Sequence, residues 1–338
     1  MNLKTNYLGL SLSHPIVAGA SPLSATVDGI RRLEDAGAAA IVAAPVCEEE
    51  VRAEDAALEA AGAIGAESHA EVTSYLPPLP GYHGALAAHV EMIRRAAEGV
   101  SVPLIASLNG ITREGWTGIA ADLEEAGAAA LELSLFNIPT SLRETSAEVE
   151  HRLVQTVGEV CTSVAIPVAV KLSPNFTAPA HLTSDLADAG AMGIVLFNRG
   201  YEADIDLETL TFRTGLRSET PEEIRLPLLW IALLAGKTPL SLAVARGAEG
   251  PEEIIKYLLA GADVVQAASS LLHHGPSHLA YLVDGMTDWI EARGAGSVEE
   301  IRGRLRADRF AQPESALRER SVHTRLHEYA VLDLGATA

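Results

Sequence analysis

Four segments of the chain repeat one transition, from the end of a helix through an Ala-Gly turn into a short apolar run. They are LEDAGAAAI (33–41), LEEAGAAAL (123–131), LADAGAMGI (186–194) and LLAGADVV (258–265). A glycine after a helix accepts a left-handed backbone, and the apolar run is typical of a strand covered on both faces. The turn glycines are 90, 63 and 71 residues apart, so each interval has room for one more strand and helix.

Proline-introduced apolar runs fill those intervals. The predicted strands are 15–20, 39–44, 102–107, 129–134, 167–171, 192–197, 239–244 and 262–267. Helical patterns alternate with them near 26–36, 84–98, 113–126, 145–162, 178–189, 221–235, 251–260 and 276–292. Eight alternating strands and helices predict an α/β fold, a single (β/α)8 TIM barrel.

Three additions surround this barrel. The alternation from Leu3 to Leu12 around Leu8-Gly9 predicts an N-terminal hairpin that covers the bottom of the barrel. Residues 45–83 form a long insertion between the second and third strands, either a substrate lid or a surface insertion. We assign 1–292 to the barrel and 293–338 to a C-terminal helical tail, with helices expected at 297–307 and 314–331.

The charge and cysteine content exclude several classes of protein. The 25 Lys and Arg against 45 Asp and Glu give a net charge of −20, and no basic run exists that would attract nucleic acid or anionic lipid. Cys47 and Cys161 are isolated, so neither a disulfide framework nor a metal site is expected. The N-terminus lacks the apolar core of a signal peptide, and no apolar run reaches the roughly 18 residues of a membrane span. We expect a cytoplasmic protein.

Reacting groups of this fold lie where strands end, and the candidates there are amides, hydroxyls and cations without a carboxylate pair. The candidates are Gly19, Ala20, Ser21, Ser107, Asn109, Ser134, Lys171, Asn198, Arg246, Gly247, Ser269 and Ser270. Lys171 ends an apolar strand, where an amine is costly to hold unless it meets an anion or reacts. It is either a Schiff-base nucleophile or a fixed cation beside an electron-accepting ring.

The last two strands end where many barrels bind phosphate. Arg246-Gly247 and Ser269-Ser270 would hold the anion there with backbone N–H groups and the arginine. Asn109 and Asn198 would bond ring or substrate carbonyls, or else only cap turns. We interpret His273-His274 as a solvated start of the last helix and the acidic run at 204–208 as a solvated loop, and we keep Cys47 as a minor candidate.

A family resemblance rests on ordered fragments of the chain. They are AGASP (18–22), LELS (131–134), VAVKLSP (168–174), LFNR (196–199), LLAGA (258–262) and HGP (274–276). Together they resemble the dihydroorotate dehydrogenase family, closest to its class 1 and "dihydroorotate dehydrogenase-like" members, from about residue 3 to residue 292. The resemblance implies an FMN-containing barrel, in the family a homodimer, that moves a hydride between a C–C bond of a dihydropyrimidine and the flavin. Any iron–sulfur centre would belong to a separate electron-transfer partner protein.

The resemblance also implies residue roles. Gly19, Ala20 and Ser21 would follow the flavin with their backbones, and Lys171 would face the pyrimidine part of its ring. Asn198 would lie near the ring. The phosphate would be held by Arg246, Gly247, Ser269 and Ser270.

Several positions depart from the family pattern. After the fourth strand the family has Asn-Leu-Ser-Cys-Pro-Asn with a cysteine base, whereas this chain has SLFNIP (134–139), which puts Asn137 or Leu135 at the cysteine position. Neither side chain accepts a proton near neutral pH. The family lysine after the second strand and its substrate loop are also absent, and Ala245-Arg246-Gly247 replaces a glycine pair.

The resemblance, with these departures, implies an FMN-dependent oxidoreductase for a dihydropyrimidine-like or related small substrate, with Lys171 and Asn137 at the reacting centre. We expect little or no oxidation of dihydroorotate itself. Two alternatives stay open: a phosphate-binding lyase that uses Lys171 as a Schiff-base nucleophile, and a catalytically degenerate flavin-binding subunit.

Overall fold

The computed structural model describes residues 1–48, 51, 53–54, 56, 84–110, 113–134, 139–198, 202–215 and 221–309. Most of the predicted insertion at 45–83, the reacting-centre candidate Asn137 and the predicted tail helix at 314–331 lie outside these residues.

The strands close into a barrel, as predicted. An antiparallel hairpin, β1 (Thr5–Tyr7) and β2 (Leu10–Leu12), precedes it and confirms the prediction for residues 3–12. The barrel strands are β3 (Ile16–Ala18), β4 (Ile41–Val42), β5 (Val46–Cys47), β6 (Leu104–Asn109), β7 (Ala130–Ser134), β8 (Val168–Leu172), β9 (Gly193–Leu196), β12 (Ser241–Val244) and β13 (Val264–Ala267). Their order is β4-β3-β13-β12-β9-β8-β7-β6-β5, and β4 also pairs with β6. Since β4 and β5 share the place of the second strand, eight parallel strand positions form the closed barrel.

Helices alternate with the strands close to their predicted positions. Those described are α1 (Val27–Asp35), α2 (Gly84–Gly99), α3 (Arg113–Glu125), α4 (Ser146–Ser163), α5 (Pro179–Asp188), α6 (Arg225–Leu234), α7 (Pro251–Ala260), α8 (Ser269–His274), α9 (His278–Ala292) and α10 (Val298–Ile301). Short 3-10 turns occupy Pro22–Ser24, Pro221–Ile224 and Ala307–Arg309.

The repeated glycines have the backbone that the sequence predicts. Gly37, Gly127, Gly190 and Gly261 have φ angles of +98°, +96°, +99° and +119°. An L side chain is strained in this left-handed region, so glycine ends each helix and turns the chain into the next strand. The four echoes are therefore four copies of one turn at the bottom of the barrel.

Side chains alternate strictly between the two faces of the barrel wall. Leu104, Ala106 and Leu108 of β6 pack outward against the helices, whereas Ile105, Ser107 and Asn109 face inward. We call two groups of inward-facing residues the lower and upper halves of the barrel interior. The lower half is Val42, Ile105, Ala130 and Val264, closed from below by Tyr7, Leu8 and Leu12 of the hairpin. The upper half is Ser107, Asn109, Glu132, Ser134, Lys171 and Gln266.

Three elements differ from the predictions. An antiparallel hairpin, β10 (Glu202–Asp206) and β11 (Thr211–Gly215), replaces the solvated loop predicted around 204–208, and it exposes Ile205 and Phe212. A separate helix, α8, precedes α9. The tail helix predicted over 297–307 covers only Val298–Ile301. The Val298 N–H donates a hydrogen bond to the Asn2 carbonyl, which ties this helix to the N-terminus. No helix in the described ranges is both long and apolar enough to cross a membrane.

Candidate active site

Three predicted site residues occupy one row at the carboxyl end of the barrel. Asn109 pairs in register with Ser134, and Ser134 pairs with Lys171 on the next strand. Directly paired residues of neighbouring parallel strands point to the same face, so all three side chains face the interior. Cys47 pairs with Asn109 at the end of this row. The row gives the upper half an amide, a hydroxyl and a cation within neighbouring strand positions.

Lys171 meets an anion inside the barrel. Its Nζ lies 3.2 Å from Glu132 Oε1 and 3.3 Å from Gln266 Oε1, and Gln266 Nε2 donates to Glu132 Oε2 at 2.5 Å. The Glu132 side chain is 1% exposed and that of Lys171 is 12% exposed. The three side chains form a closed ring of hydrogen bonds, which satisfies the buried carboxylate with two donors.

Sequence reasoning missed Glu132 and Gln266. Both are isolated polar residues in apolar strands. They lie two residues before Ser134 and Ala268, so their side chains face the barrel interior on the same side of the strand. Both lie before the ends of their strands, so a pattern that considers only strand ends does not identify them. The signal of Glu132 was present, because a lone charge inside an apolar run needs a partner.

The predicted phosphate end contains polar atoms without a partner. Ser270 Oγ and Arg246 Nε are buried and make no hydrogen bond within the described part of the chain. The Arg246 terminal nitrogen pairs with Glu223, and its backbone carbonyl accepts from Tyr257 Oη at 2.7 Å. Gly247 has a φ of +65°, so the residue after Arg246 takes the left-handed backbone of a tight loop. An anion with several acceptor oxygens would satisfy the two unpaired donors.

The end of β3 is more closely tied to its own neighbours than predicted. The Gly19 N–H donates to Ala267 O at 2.8 Å, and the Ser21 N–H donates to Ser24 Oγ at 3.2 Å. The Ser21 hydroxyl accepts from the Leu23 N–H at 3.3 Å. Only Ala20 of this trio keeps its N–H without a hydrogen bond to a described residue. A side chain at Gly19 would place its Cβ 3.2 Å from that of Ala268, so glycine here permits close packing of two strands.

Further candidates lie around this rim. Asn198 follows β9, and its backbone N–H donates to Leu172 O at 2.6 Å. Ser269 begins α8. Glu48, which sequence reasoning missed, follows Cys47 and is buried over Gly110, where an added Cβ would lie 2.7 Å from Glu48 Oε2. A buried carboxylate thus occupies the end of the second strand position, where the family pattern has a lysine.

The interpretation of His273-His274 as the start of the last helix is wrong in position. The pair ends α8, and Glu249 oxygens lie 3.4 Å from His273 Nδ1 and 3.8 Å from His274 Nε2. Glu249 Oε1 makes no hydrogen bond to a described residue. In the described ranges, no three His, Cys, Asp or Glu side chains are grouped as metal ligands would be.

Two kinds of known sequence are similar to this chain. A model of the ankyrin repeat matches residues 235–269. That range holds a strand, a helix and a strand of the barrel wall instead of the paired helices of an ankyrin repeat. A protein of Aeropyrum pernix assigned as dihydroorotate dehydrogenase A (fumarate) is 30% identical over 225 residues, 63% of this chain and 71% of the relative. The catalytic subunit of dihydroorotate dehydrogenase B (NAD(+)) of Methanothermobacter thermautotrophicus is 25% identical over 60% of this chain and 68% of its own length.

A third relative, dihydroorotate dehydrogenase A (fumarate) of Limosilactobacillus reuteri, is 29% identical over 51% of this chain and 58% of its own length. Dihydroorotate dehydrogenases are FMN-dependent flavoproteins, which supports FMN as the cofactor. The barrel, the row of polar residues at its carboxyl end and these similarities agree: the chain belongs to the dihydroorotate dehydrogenase family.

Proposed function

We propose that this chain is an FMN-dependent oxidoreductase that oxidises a CH–CH bond of a small, dihydropyrimidine-like substrate. The observation that carries the proposal is the ammonium group of Lys171, held inside the carboxyl end of the barrel and in register with Ser134. When bound, FMN accepts a hydride and takes up the negative charge that comes with it. A fixed cation in this place stabilises that charge.

The residues at the phosphate end fit FMN. Arg246 and Gly247 on one side, with Ser269 and Ser270 on the other, would hold the phosphate, because the buried Arg246 Nε and Ser270 Oγ lack partners among the described residues. Glu223 is already paired with Arg246, so it orients the guanidinium and leaves Nε available. The backbone at 19–21 would contact the ring mainly through Ala20, whose N–H is not used by its neighbours.

Polar side chains at the carboxyl end of the barrel would position the flavin ring and the substrate. Ser107, Asn109, Ser134 and Asn198 supply hydroxyl and amide groups that can donate to or accept from carbonyl and imide groups. Asn137, outside the described residues, would take the place of the family cysteine in one of the two registers and would contact substrate without removing a proton. A different group has to accept the substrate proton, and Cys47 and Glu48 are the described candidates at the same rim.

The lyase alternative is disfavoured by the contacts of Lys171. A Schiff-base nucleophile reacts as a neutral amine with a free lone pair. Here hydrogen bonds to a carboxylate oxygen and an amide oxygen hold Lys171 Nζ in place as a donor, which does not present it as a free nucleophile. The degenerate-subunit alternative differs from the proposal only in turnover, so kinetics separates the two.

The first experiment is the absorption spectrum of the purified protein, titrated with FMN. We expect a flavin spectrum and about one FMN per chain, whereas a protein that takes up no FMN would overturn the proposal. Lys171→Ala should slow flavin reduction by on the order of 100-fold and weaken FMN binding by less than about tenfold, since the cation acts mainly on the reduced ring. Lys256→Ala is the matched control, because this lysine pairs with Glu252 on the outside of the barrel.

The substrate and partners are tested separately. We expect dihydroorotate to reduce the bound flavin very slowly. Bleaching of the flavin absorption identifies any other dihydropyrimidine that reduces it faster. Because one relative is named a catalytic subunit, we propose a separate electron-transfer protein as the acceptor and a homodimer as the assembly. Sedimentation of the purified chain tests the dimer, and a monomer would remove that part of the proposal.

A further inference from the structure

The buried carboxylate of Glu132 lies beside the cation of the active site, at 3.2 Å from Lys171 Nζ. We infer that Glu132 and Gln266 are positioning residues that fix the Lys171 ammonium group, and that the charge of Glu132 lowers the affinity of the site for reduced FMN relative to oxidised FMN. The inference rests on the proposed function, because it concerns FMN bound beside Lys171.

The first step of the argument is geometric. Glu132 on β7 and Gln266 on β13 stand on opposite sides of the barrel, four strand positions apart in either direction. Their side chains nevertheless meet at 2.5 Å, and Lys171 reaches both of them. The amide has only one orientation that serves the ring, with Nε2 toward the carboxylate and Oε1 toward the ammonium group. This arrangement fixes the Lys171 Nζ from two sides of the barrel.

The second step concerns the protons of Lys171. An ammonium group has three donors. Glu132 and Gln266 accept two of them, and no described residue accepts the third. The Lys171 side chain is still 12% exposed, so its remaining donor is accessible from the upper half. The ring therefore leaves one N–H of Lys171 for a bound ligand.

The third step concerns charge. With both groups ionised, Glu132 and Lys171 form a neutral pair, although Lys171 alone would be a net positive charge. Charges in a poorly solvated interior act over several ångströms. The carboxylate therefore partly offsets the attraction of the ammonium group for negative charge on the flavin. Burial, followed by the negative charge of Glu132, raises the pKa of Tyr7 well above its ordinary value. The charge of Glu132 therefore also acts on the lower half of the barrel interior.

The test compares variants that remove the charge with variants that remove only the bridge. Glu132→Gln keeps the side-chain size and removes the counter-charge, so reduced FMN should gain affinity relative to oxidised FMN by about tenfold. For a two-electron couple this equals a rise of about 30 mV in the midpoint potential of the bound flavin. Gln266→Met keeps the ion pair and removes the amide, so it should leave the potential nearly unchanged while it weakens FMN binding in both redox states.

Asp263→Asn is the matched control. Asp263 is also a carboxylate paired with a cation, Arg302, but it is only partly buried and lies at the bottom of the barrel. Its replacement should lower stability without moving the potential. Folding of each variant is checked by urea denaturation without FMN, where a double-mutant cycle of Glu132→Gln and Lys171→Met should show coupling between the two residues.

The outcomes separate the two proposals. A wild-type chain that binds no FMN would end the proposed function, and this inference with it. If wild type binds FMN and Glu132→Gln leaves the potential unchanged, or shifts it no more than Gln266→Met or Asp263→Asn does, the positioning role of Glu132 is wrong and the proposed function stands.

Discussion

The lower and upper halves of the barrel interior are built by the same strands and differ in chemistry. In the lower half Val42, Ile105 and Ala130 form one register row, and apolar side chains of the N-terminal hairpin close it. Two residues further along β6 and β7, the row becomes Ser107 and Glu132, and after two more it becomes Asn109 and Ser134. The strand geometry fixes which positions face inward, and the residue types decide whether an inward position stabilises the barrel or binds a ligand.

The difference predicts that substitutions separate into two classes. Those in the lower half change the free energy of unfolding and leave the flavin site intact. Those in the upper half change FMN binding or its potential, and their effect on stability can have either sign. The following substitutions test that separation, from the largest expected effect to the smallest.

The largest effect is expected from Leu8→Ala in the lower half. Leu8 is 2% exposed, and its backbone N–H donates to Ser241 Oγ at 3.1 Å. Loss of the side chain leaves a cavity at the closed bottom of the barrel, so the free energy of unfolding should fall by about 3 kcal/mol. Urea denaturation measures this loss, and FMN titration of the folded protein should give the wild-type affinity.

Leu142→Ala is the control for that substitution. Leu142 is fully exposed, at 103%, so its truncation removes no buried contact and should change the free energy of unfolding by less than about 0.5 kcal/mol. A Leu8→Ala variant that loses FMN binding while still folded would break the separation between the two halves.

Ser270→Ala at the phosphate end should have a smaller effect, which raises the stability of the FMN-free protein and weakens FMN binding. A buried hydroxyl without a partner costs stability, so removing it should raise the free energy of unfolding of the FMN-free protein by about 1 kcal/mol. The same change should weaken FMN binding by about tenfold, because the phosphate loses one donor. Parallel denaturation and FMN titration measure the two signs.

Thr183→Val is the matched control, because the Thr183 hydroxyl is also buried but donates to Pro179 O at 2.7 Å on the outer side of the barrel. It should lose about 1 kcal/mol of stability and leave FMN binding unchanged. If Ser270→Ala behaves like Thr183→Val, Ser270 does not contact the phosphate.

Much of the scaffold could be predicted from sequence because its signals are local. Each turn glycine and the apolar run after it lie within one short segment, and the glycine backbones at Gly37 and Gly261 agree with that interpretation. The β10–β11 hairpin was missed because its described side chains at 204, 205, 211 and 212 are exposed. Asp204 alternates with the exposed Ile205, a pattern that without a buried face is indistinguishable from a charged loop.

The site was predictable only in part, for a similar reason. Asn109, Ser134 and Lys171 were found because the carboxyl ends of parallel strands must meet at one end of a barrel. The ring of Lys171, Glu132 and Gln266 depends on closure, which brings β7 and β13 into contact across the interior. Periodicity along one strand carries no information on that contact, so the counter-charge of the predicted cation emerged only from the structure.

The smallest effect is expected from His14, where β3 is anchored below the barrel. The Ile16 N–H donates to His14 Nδ1 at 3.2 Å, so the neutral ring carries its proton on Nε2, which lies 2.8 Å from Gly37 O. Burial lowers the pKa of His14 from its ordinary 6.5, against a smaller opposing effect of the Gly37 bond. Below that ordinary value the unfolded chain binds a proton that the folded chain resists. The contribution of His14 to stability is therefore complete above pH 6.5 and is lost as the pH falls toward the lowered pKa.

Urea denaturation at about pH 7.5 and about pH 5.5 measures this dependence, because the two values lie on either side of the ordinary histidine pKa. We expect His14→Gln to lose part of the wild-type decrease in unfolding free energy between the two pH values. His181→Gln should keep it, since His181 is exposed beside Asp185 on α5. An equal decrease in both variants would show that His14 does not titrate with folding. A change in the potential of bound FMN in His14→Gln would show instead that the lower end of the barrel is coupled to the flavin site.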